Sequence, residues 1–219
     1  MRTIRVTGKG RLSLKPDTTR ITMTLEGLYP DYGEALRHSS EDTELLRQLL
    51  SGFGFLPGDL KTLSFSVDTE YESYREQDLY KQRFAGYRFR HTLKLEFASD
   101  NERLGKILYA LANCSVSPEF RISYTVKDPE AAKNGLLASA VADAREKAQV
   151  LTRSGGVRLL SLQSIDYSWG ELDLECRPMD RMLSAKGAAS NAELKRYQMN
   201  IEPDDIEVSD TVTVVWEIE

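Results

Sequence analysis

The sequence has little of the chemistry that most active sites use. Its 219 residues include only two cysteines and two histidines, and neither type occurs at the spacing of a metal-binding motif. No apolar run is long enough to span a membrane. Positive charge is not in excess, because 29 Lys and Arg stand against 34 Asp and Glu, a net charge of −5. These absences argue against a zinc site and a membrane span and, more weakly, against a nucleic-acid-binding face.

The first ten residues, MRTIRVTGKG, contain no apolar block of the kind that forms a secretory signal. We therefore expect a cytoplasmic protein. We expect Cys114 to be buried at the end of a helix and Cys176 to be an exposed or loop thiol, and a disulfide between them is possible but not indicated. Hydrophobic residues make up 41% of the chain, which is enough for a sizeable core. At this length we predict a single domain over residues 1–219.

The clearest helix signal runs from Asp128 to Gly156. Asp128 is a good N-cap, Pro129 suits the first helical position, and Gly155 ends the helix. Asp143 and Lys147 are expected to pair on the solvent side. The predicted buried stripe is mostly small, which lets the helix axis approach a sheet closely. Its members are Leu137, Val141, Ala144, Ala148 and Leu151, widened by Leu136 and Ala140.

Two parts of the chain share one order of elements: a strand, a helix and two more strands. The first part covers residues 18–97 and the second covers residues 118–218, with no convincing sequence identity between them. We therefore predict an α+β fold of two β-α-β-β units, with a mixed or antiparallel sheet and the helices packed on one face. Ahead of the first unit, Gly8-Lys9-Gly10 predicts a tight turn. A phosphate-binding loop is excluded there because a strand follows instead of a helix.

Residues 72–82 form a polar stretch between two predicted strands. We expect the solvent-exposed end of a hairpin, and the alternative is that acidic residues interleaved with Tyr71, Tyr74 and Tyr80 bind a cation or a basic partner. His91 shares a predicted strand face with aromatic residues, so we expect a packed histidine. A Ser-His-Asp triad assembles in space and is not excluded by sequence, but the chain has no nucleophile-elbow motif.

Residues 168–200 have no sustained hydrophobic period, although they join two strands that should be neighbours. Connections of this length are uncommon and are usually functional or disordered. We predict an irregular arm, either a floppy insertion or, as the functional alternative, a segment that orders on a partner subunit or a ligand. If the arm covers a pocket, Tyr167, Trp169 and Trp216 would line it.

An ordered set of short motifs resembles the SIMPL-domain family, a bacterial domain of unknown function. The motifs extend over nearly the whole chain, and their order is more specific than any one of them. They are Val6-x-Gly8-x-Gly10, Pro16-Asp17, Asp59-Leu-Lys-Thr62, Gly86-Tyr87, Ala144-Arg145-x-Lys147-Ala148 and Ile201-x-Pro203-x-Asp205-Ile206. The chain departs from the family at Asp204, where glycine is usual.

The resemblance implies a family named for its association with a kinase-linked signalling factor and linked loosely to the cell envelope and to stress protection. Many of its members carry an export signal, and it offers no catalytic residues to transfer to this chain. Our first hypothesis is a non-enzymatic module that forms a homo-oligomer or binds a protein partner, without a cofactor or metal. The rival is a small-molecule-binding protein or enzyme with its pocket between the sheet and the 168–200 arm.

Overall fold

A computed structural model describes residues 2–76, 79–168, 172–177 and 202–219 of the chain. These residues form two antiparallel sheets and three α-helices, which confirms the predicted α+β class. In chain order the elements are β1 (Arg2–Leu14), β2 (Thr18–Tyr29), α1 (Tyr32–Ser51), β3 (Lys61–Glu76), β4 (Leu79–Ala98), α2 (Asn101–Ala112), β5 (Glu119–Thr125), α3 (Pro129–Ser154), β6 (Leu159–Asp166) and β7 (Ile206–Ile218).

The chain divides into two compact units. Unit 1 comprises Met1–Asp17, Thr125–Cys176 and Pro203–Glu219, and unit 2 comprises Thr18–Tyr124 and Arg177–Glu202. Both predicted β-α-β-β orders are present along the chain, but sheet membership does not follow them. β5 lies in the four-stranded sheet beside β2, whereas the N-terminal strand β1 pairs with β7 in the three-stranded sheet.

Unit 1 is a three-stranded antiparallel sheet in the order β1-β7-β6, with α3 on one face. β1 and β7 pair without interruption from Arg2 opposite Ile218 to Leu14 opposite Ile206. The predicted turn at Gly8-Lys9-Gly10 is therefore wrong, because these residues continue the strand. Glycine at position 8 lets the backbone of α3 approach β1 closely. A side chain there would overlap the Ala140 carbonyl oxygen and lie 2.5 Å from the Ala144 amide nitrogen.

α3 begins and ends as predicted. The Asp128 carboxylate accepts the Ala131 N–H at 2.9 Å, and Gly155 follows the last helical residue. The buried stripe advances strictly in steps of four, through Ala132, Leu136, Ala140, Ala144, Ala148 and Thr152. Leu151 was predicted to be buried but is 53% exposed. The predicted Leu136, Ala140, Ala144 and Ala148 are confirmed as buried, whereas Leu137 and Val141 are half-buried. The alanine side of the helix is the buried one because glycines in β1 let it approach the strand closely.

The predicted pair Asp143–Lys147 forms at 2.7 Å and also reaches the open edge of β1. The Asp143 carboxylate accepts the backbone N–H of Lys9 at 2.6 Å, and the Lys147 ammonium donates to the Thr7 carbonyl at 3.4 Å. These contacts lower the pKa of Asp143, chiefly through the hydrogen bond from Lys147. Helix side chains thus satisfy backbone groups that an unprotected sheet edge would offer to another strand.

Unit 2 is a four-stranded sheet in the order β3-β4-β2-β5, with α1 packed against β2 and β4. The Asp31 side chain caps α1 by accepting the N–H groups of Gly33 and Glu34. Helically spaced residues of α1 and α2 and alternating residues of β4 are buried. They comprise Ala35, Thr43, Leu46 and Leu50 of α1; Phe89, Leu93, Leu95 and Phe97 of β4; and Leu104, Ile107, Leu108 and Leu111 of α2.

Candidate interaction surface

The hairpin of β3 and β4 extends beyond the rest of its sheet. The last residue of β2 to pair with β4 is Tyr29, opposite Tyr87. From Glu70 opposite Gly86 outward, β3 and β4 pair only with each other in the described residues, as far as Glu76 opposite Leu79. We call residues 70–86 the hairpin arm. It is about 20 Å long at the usual rise of a strand, and it confirms the predicted exposed hairpin end.

A β-bulge at the base of the arm changes which side chains share a face. Glu70 pairs with Gly86, and the next pair is Tyr71 with Phe84, so Ala85 is the extra residue. Gly86 has a φ of +146° and lies so close to the Tyr29 carbonyl that a side chain would meet that oxygen at 2.5 Å. A β-branched or larger residue would be strained in this conformation. The bulge brings Phe84 onto the same face as Tyr87, three residues away.

The result is a continuous row of aromatic rings on one face of the arm. Tyr32, at the start of α1, packs edge-to-face on Tyr87 with ring centroids 5.6 Å apart. Tyr87 contacts Phe84 at 5.3 Å, and Phe84 contacts Tyr71 at 6.1 Å. Although the rings contact one another, Tyr32, Phe84 and Tyr71 are 48%, 47% and 58% exposed. We call these four residues the aromatic strip.

The opposite face of the arm carries charges that pair with one another. The Arg88 guanidinium donates to Glu70 at 2.8 Å, which lowers the pKa of Glu70. Arg83 pairs with Glu72 and lies 5.9 Å from the centre of the Tyr74 ring. These pairs are exposed and contribute little stability. The paired charges lie on one face of the arm and the aromatic strip lies on the other. This division is typical of a pair of strands that is covered on one side.

His91 is packed, as predicted, within a cluster of hydroxyl groups. Its Nε2 lies 2.8 Å from the Thr62 hydroxyl, and its Nδ1 lies 3.2 Å from Thr43 and 3.3 Å from Ser39. Thr43 donates its own proton to the Ser39 carbonyl at 2.7 Å, so its oxygen accepts from Nδ1–H and Nε2 accepts from Thr62. Burial, and secondarily the charge of Arg47, lower the pKa of His91.

This arrangement differs from that of a nucleophilic triad. The partners of His91 among the described residues are hydroxyl groups, and the Phe65 ring packs against the imidazole at 5.2 Å. A triad needs a carboxylate to orient the imidazole and to stabilise its charged form. Here burial favours the neutral imidazole. The cluster is therefore that of a structural histidine which joins α1 to β3 and β4.

Two of the three predicted pocket residues belong to the core of unit 1. Trp216 is buried at 6% exposure in a cluster with Val6, Val214 and the α3 alanines, and Tyr167 packs against the same cluster. The Tyr167 hydroxyl donates to Asp210 at 2.7 Å, and that hydrogen bond raises the pKa of Tyr167. Trp169 lies outside the described residues, so a pocket formed by all three stays a prediction.

Most of the predicted 168–200 arm also lies outside the described residues. Residues 172–177 are described, and there Leu174 is buried against Ala132 and Ile206. The Thr125 hydroxyl donates to the Leu174 carbonyl at 2.9 Å. Cys176, which follows, is a free half-buried cysteine, and so is Cys114. This short piece is thus fixed to unit 1 by apolar packing and one hydrogen bond.

Sequence reasoning missed the aromatic strip. The polar stretch suggested a solvated hairpin end, and the tyrosines interleaved with acidic residues suggested a site for a cation or a basic partner. In the structure Tyr74 lies on the charged face and Tyr71 on the aromatic one. The signal that was available is Gly86 between Phe84 and Tyr87, because glycine inside a strand pattern often marks a bulge. A bulge allows residues three apart to share a face.

These features define an α+β protein with an aromatic hairpin arm. Within the part of the chain that the structure describes, no group of three or more His, Cys, Asp or Glu side chains is placed to hold a metal ion. No helix in that part is both long and apolar enough to cross a membrane. The sequence pattern of SIMPL, a protein of unknown function (DUF541), matches residues 4–216. The chain belongs to the SIMPL family.

Comparison with solved structures gives two distant likenesses. CutA from Synechococcus elongatus is 13% identical over 59% of this chain and 95% of its own, with a TM-score of 0.25. An uncharacterised conserved protein from Listeria innocua is 8% identical over 97% of this chain and 92% of its own, with a TM-score of 0.21. Neither likeness carries an argument about this chain. No curated protein matches the sequence.

Proposed function

We propose that this protein is a non-enzymatic module that self-associates through the aromatic strip of its hairpin arm. The observation that carries the proposal is the strip itself: four contacting rings, of which Tyr71 and Phe84 lie on the arm while Tyr87 and Tyr32 continue the row at its base. A two-stranded hairpin is marginally stable in water unless a third strand or another element covers it. Exposed contiguous apolar surface of this kind marks an interaction site.

The charges on the arm favour a second copy over a strongly charged partner. Glu70 and Glu72 are paired with Arg88 and Arg83 within the chain, so they are not available as a large field of one sign. The aromatic strip carries no charge, and two such strips pack on each other without like-charge repulsion. A contact between identical surfaces closes into a two-fold dimer.

The size of the strip predicts a weak contact. An aromatic side chain buries about 150–250 Å² when fully covered, and Tyr32, Phe84 and Tyr71 are roughly half exposed. Two strips packed face to face therefore bury about 600 Å² of these three rings in total, whereas stable protein interfaces bury about 1,200–2,000 Å². We expect self-association through the arm to depend on protein concentration over the range accessible to light scattering.

The proposal is tested by light scattering behind size exclusion over a series of protein concentrations. We expect the double variant Tyr71→Thr/Phe84→Thr to shift the mass downward relative to the unaltered chain. Threonine preserves strand propensity while removing the rings. The matched control is Tyr74→Thr, which removes an aromatic ring from the charged face of the same arm and should leave the mass unchanged.

Two results would contradict the proposal. If the unaltered chain is a monomer at every concentration, the protein does not self-associate. If the double variant and the Tyr74→Thr control keep the same oligomeric mass as the unaltered chain, the aromatic strip is not the contact. Far-ultraviolet circular dichroism of each variant checks that the fold is retained.

A further inference from the structure

We propose a second self-association surface, on unit 1, where β6 meets β6 of a second copy in antiparallel orientation about a two-fold axis through Leu162. This surface lies outside the hairpin arm, so it extends the proposed function and can fail without it. The proposal rests on three features of β6 in the described part of the chain: an edge without a partner strand, apolar side chains that no described element covers, and a symmetric spacing of those side chains.

The two edges of the three-stranded sheet differ. β1 and β6 are both terminal strands. On β1, Asp143 and Lys147 hydrogen-bond to the backbone of Lys9 and Thr7, and this protects the middle of the edge. β6 carries no charged residue from Leu159 to Ile165, and charged side chains are a common means of protecting an exposed edge. β6 therefore lacks the charged protection of β1, and its own irregularity consists of two register shifts.

β6 also exposes apolar side chains on the face where α3 packs. Leu162 pairs with Trp216 and Ile165 pairs with Val214, and both partners point into the core. Directly paired residues share a face, so Leu162 and Ile165 are on the inner face as well. Yet they are 52% and 48% exposed, because α3 lies over β1 and β7 and hardly reaches β6.

An open groove of about 660 Å³ runs along α3 in the same unit. It is lined by apolar and polar residues of that helix: Leu137, Ala138, Val141, Ala142, Arg145, Glu146 and Gln149. Leu137 and Val141 pack against the same core cluster as Leu159, the first residue of β6. Leu137 and Val141 are half-buried there, so the exposed apolar side chains that carry the proposal are those of β6.

The spacing of the inner-face side chains on β6 suits an antiparallel pairing with β6 of a second copy. Two register shifts between Leu159 and Ser164 keep every third residue, Leu159, Leu162 and Ile165, on the inner face. This set is symmetric about Leu162. An antiparallel copy with its two-fold axis there places Leu159 against Ile165 of the other copy and Leu162 against its own equivalent. The uncharged side chains of Ser161 and Gln163 then lie opposite each other, so no like charges meet.

Cysteine cross-linking tests this geometry directly. In a background of Cys114→Ser/Cys176→Ser, which removes both native thiols, Leu162→Cys places one thiol on the proposed axis. A disulfide needs Cα atoms within about 7 Å, a condition that residues on a two-fold axis between neighbouring strands meet. We expect a covalent dimer under mild oxidation to become the main species of Leu162→Cys.

The matched control is Leu160→Cys in the same background. Leu160 is 46% exposed, close to the 52% of Leu162, but it lies two residues from the axis. Its equivalents in the two copies are then about 13 Å apart at the rise of a strand, too far for a disulfide. We expect Leu160→Cys to remain uncross-linked. Equal cross-linking at both positions would indicate random collision and would overturn the proposal.

The cross-linking is repeated with Tyr71→Thr/Phe84→Thr added, so that a failure of this inference is separated from a failure of the arm proposal. A Leu162→Cys dimer that persists without the aromatic strip supports the β6 contact by itself. Absence of the dimer in both backgrounds overturns it. If residues 178–201 of the same chain cover β6 instead, the Leu162→Cys thiol stays monomeric and resists alkylation until those residues are deleted, which also overturns the proposal.

Discussion

At the residue scale, His91 shows how a chain with two histidines uses one of them for structure. Its two ring nitrogens hydrogen-bond to hydroxyl groups from two elements of unit 2: Thr62 of β3, and Thr43 and Ser39 of α1. A neutral imidazole accepts at one nitrogen and donates at the other. The cluster is therefore complete only when His91 is uncharged, and burial enforces that state.

This state predicts an acid-sensitive contribution to stability. The pKa of His91 in the folded chain is lowered from its usual value of about 6.5. Between the folded pKa and about pH 6.5, the unfolded chain therefore binds more protons than the folded chain. Stability is then fully present above about pH 6.5 and falls as the pH drops toward the folded pKa. Urea unfolding between about pH 7.5 and pH 5 should show this loss.

The corresponding variants separate His91 from other acid-sensitive groups. His91→Gln keeps a hydrogen-bonding side chain but cannot titrate, so the slope of stability against pH should flatten. His38→Gln leaves the His91 cluster intact and should keep the slope. If His91→Gln and the unaltered chain lose stability in parallel, His91 is not the group responsible.

At the element scale, the packing of α3 on β1 depends on small residues on both sides. Gly8 and Gly10 of β1 face Ala140, Ala144 and the Leu136 carbonyl of the helix. Glycine opposite alanine lets the helix backbone contact the strand backbone, and it explains why the buried stripe of α3 is alanine-rich. The same closeness lets Asp143 and Lys147 reach the edge of β1.

This contact predicts opposite effects for two glycine-to-alanine changes. Gly8→Ala would drive a methyl group into the backbone of α3 at Ala140 and Ala144, and overpacking of this kind destabilises by about 1–3 kcal/mol. Gly135→Ala adds a methyl group on α3 with nothing within 4 Å, and alanine is favoured over glycine in a helix by about 1 kcal/mol. Urea denaturation midpoints should move down for Gly8→Ala and up for Gly135→Ala. Equal shifts would mean that β1 and α3 are not in close contact.

At the scale of the whole molecule, the two proposed contacts are on different units and should act independently. Each is a contact between identical surfaces, and a protein with two such contacts assembles beyond the dimer. We expect the unaltered chain to exceed a dimer at high concentration. Tyr71→Thr/Phe84→Thr and Leu162→Lys should each stop at the dimer, and their combination should be a monomer.

Light scattering of these variants at equal concentrations distinguishes the possible outcomes. A monomer after Leu162→Lys alone would show that the arm contact does not hold without β6. A monomer after the arm change alone would contradict an independent β6 contact. An association with envelope or stress protection, which the family resemblance implies, remains a prediction that these experiments do not address.

Local sequence signals determined the elements of this protein but not all of their surroundings. Asp128 with Pro129 and Gly155 gave the bounds of α3, and alternation gave the buried residues of β4, because caps and periodicity act within a few residues. The family was likewise evident from ordered motifs. Leu151 was misplaced because several neighbouring stripes of α3 are similarly small, and only the partner surface selects one of them.

Tertiary structure decided the features on which the proposed function rests. The sequence around Gly8 and Gly10 predicted a turn, because glycine occurs both in turns and in strands whose backbone contacts a helix. Only the tertiary structure distinguishes the two cases. The aromatic strip requires a bulge at Ala85, and the exposure of β6 requires α3 to lie over β1 and β7. Sequence fixes which segments form strands and helices, whereas long-range packing fixes which apolar side chains remain uncovered.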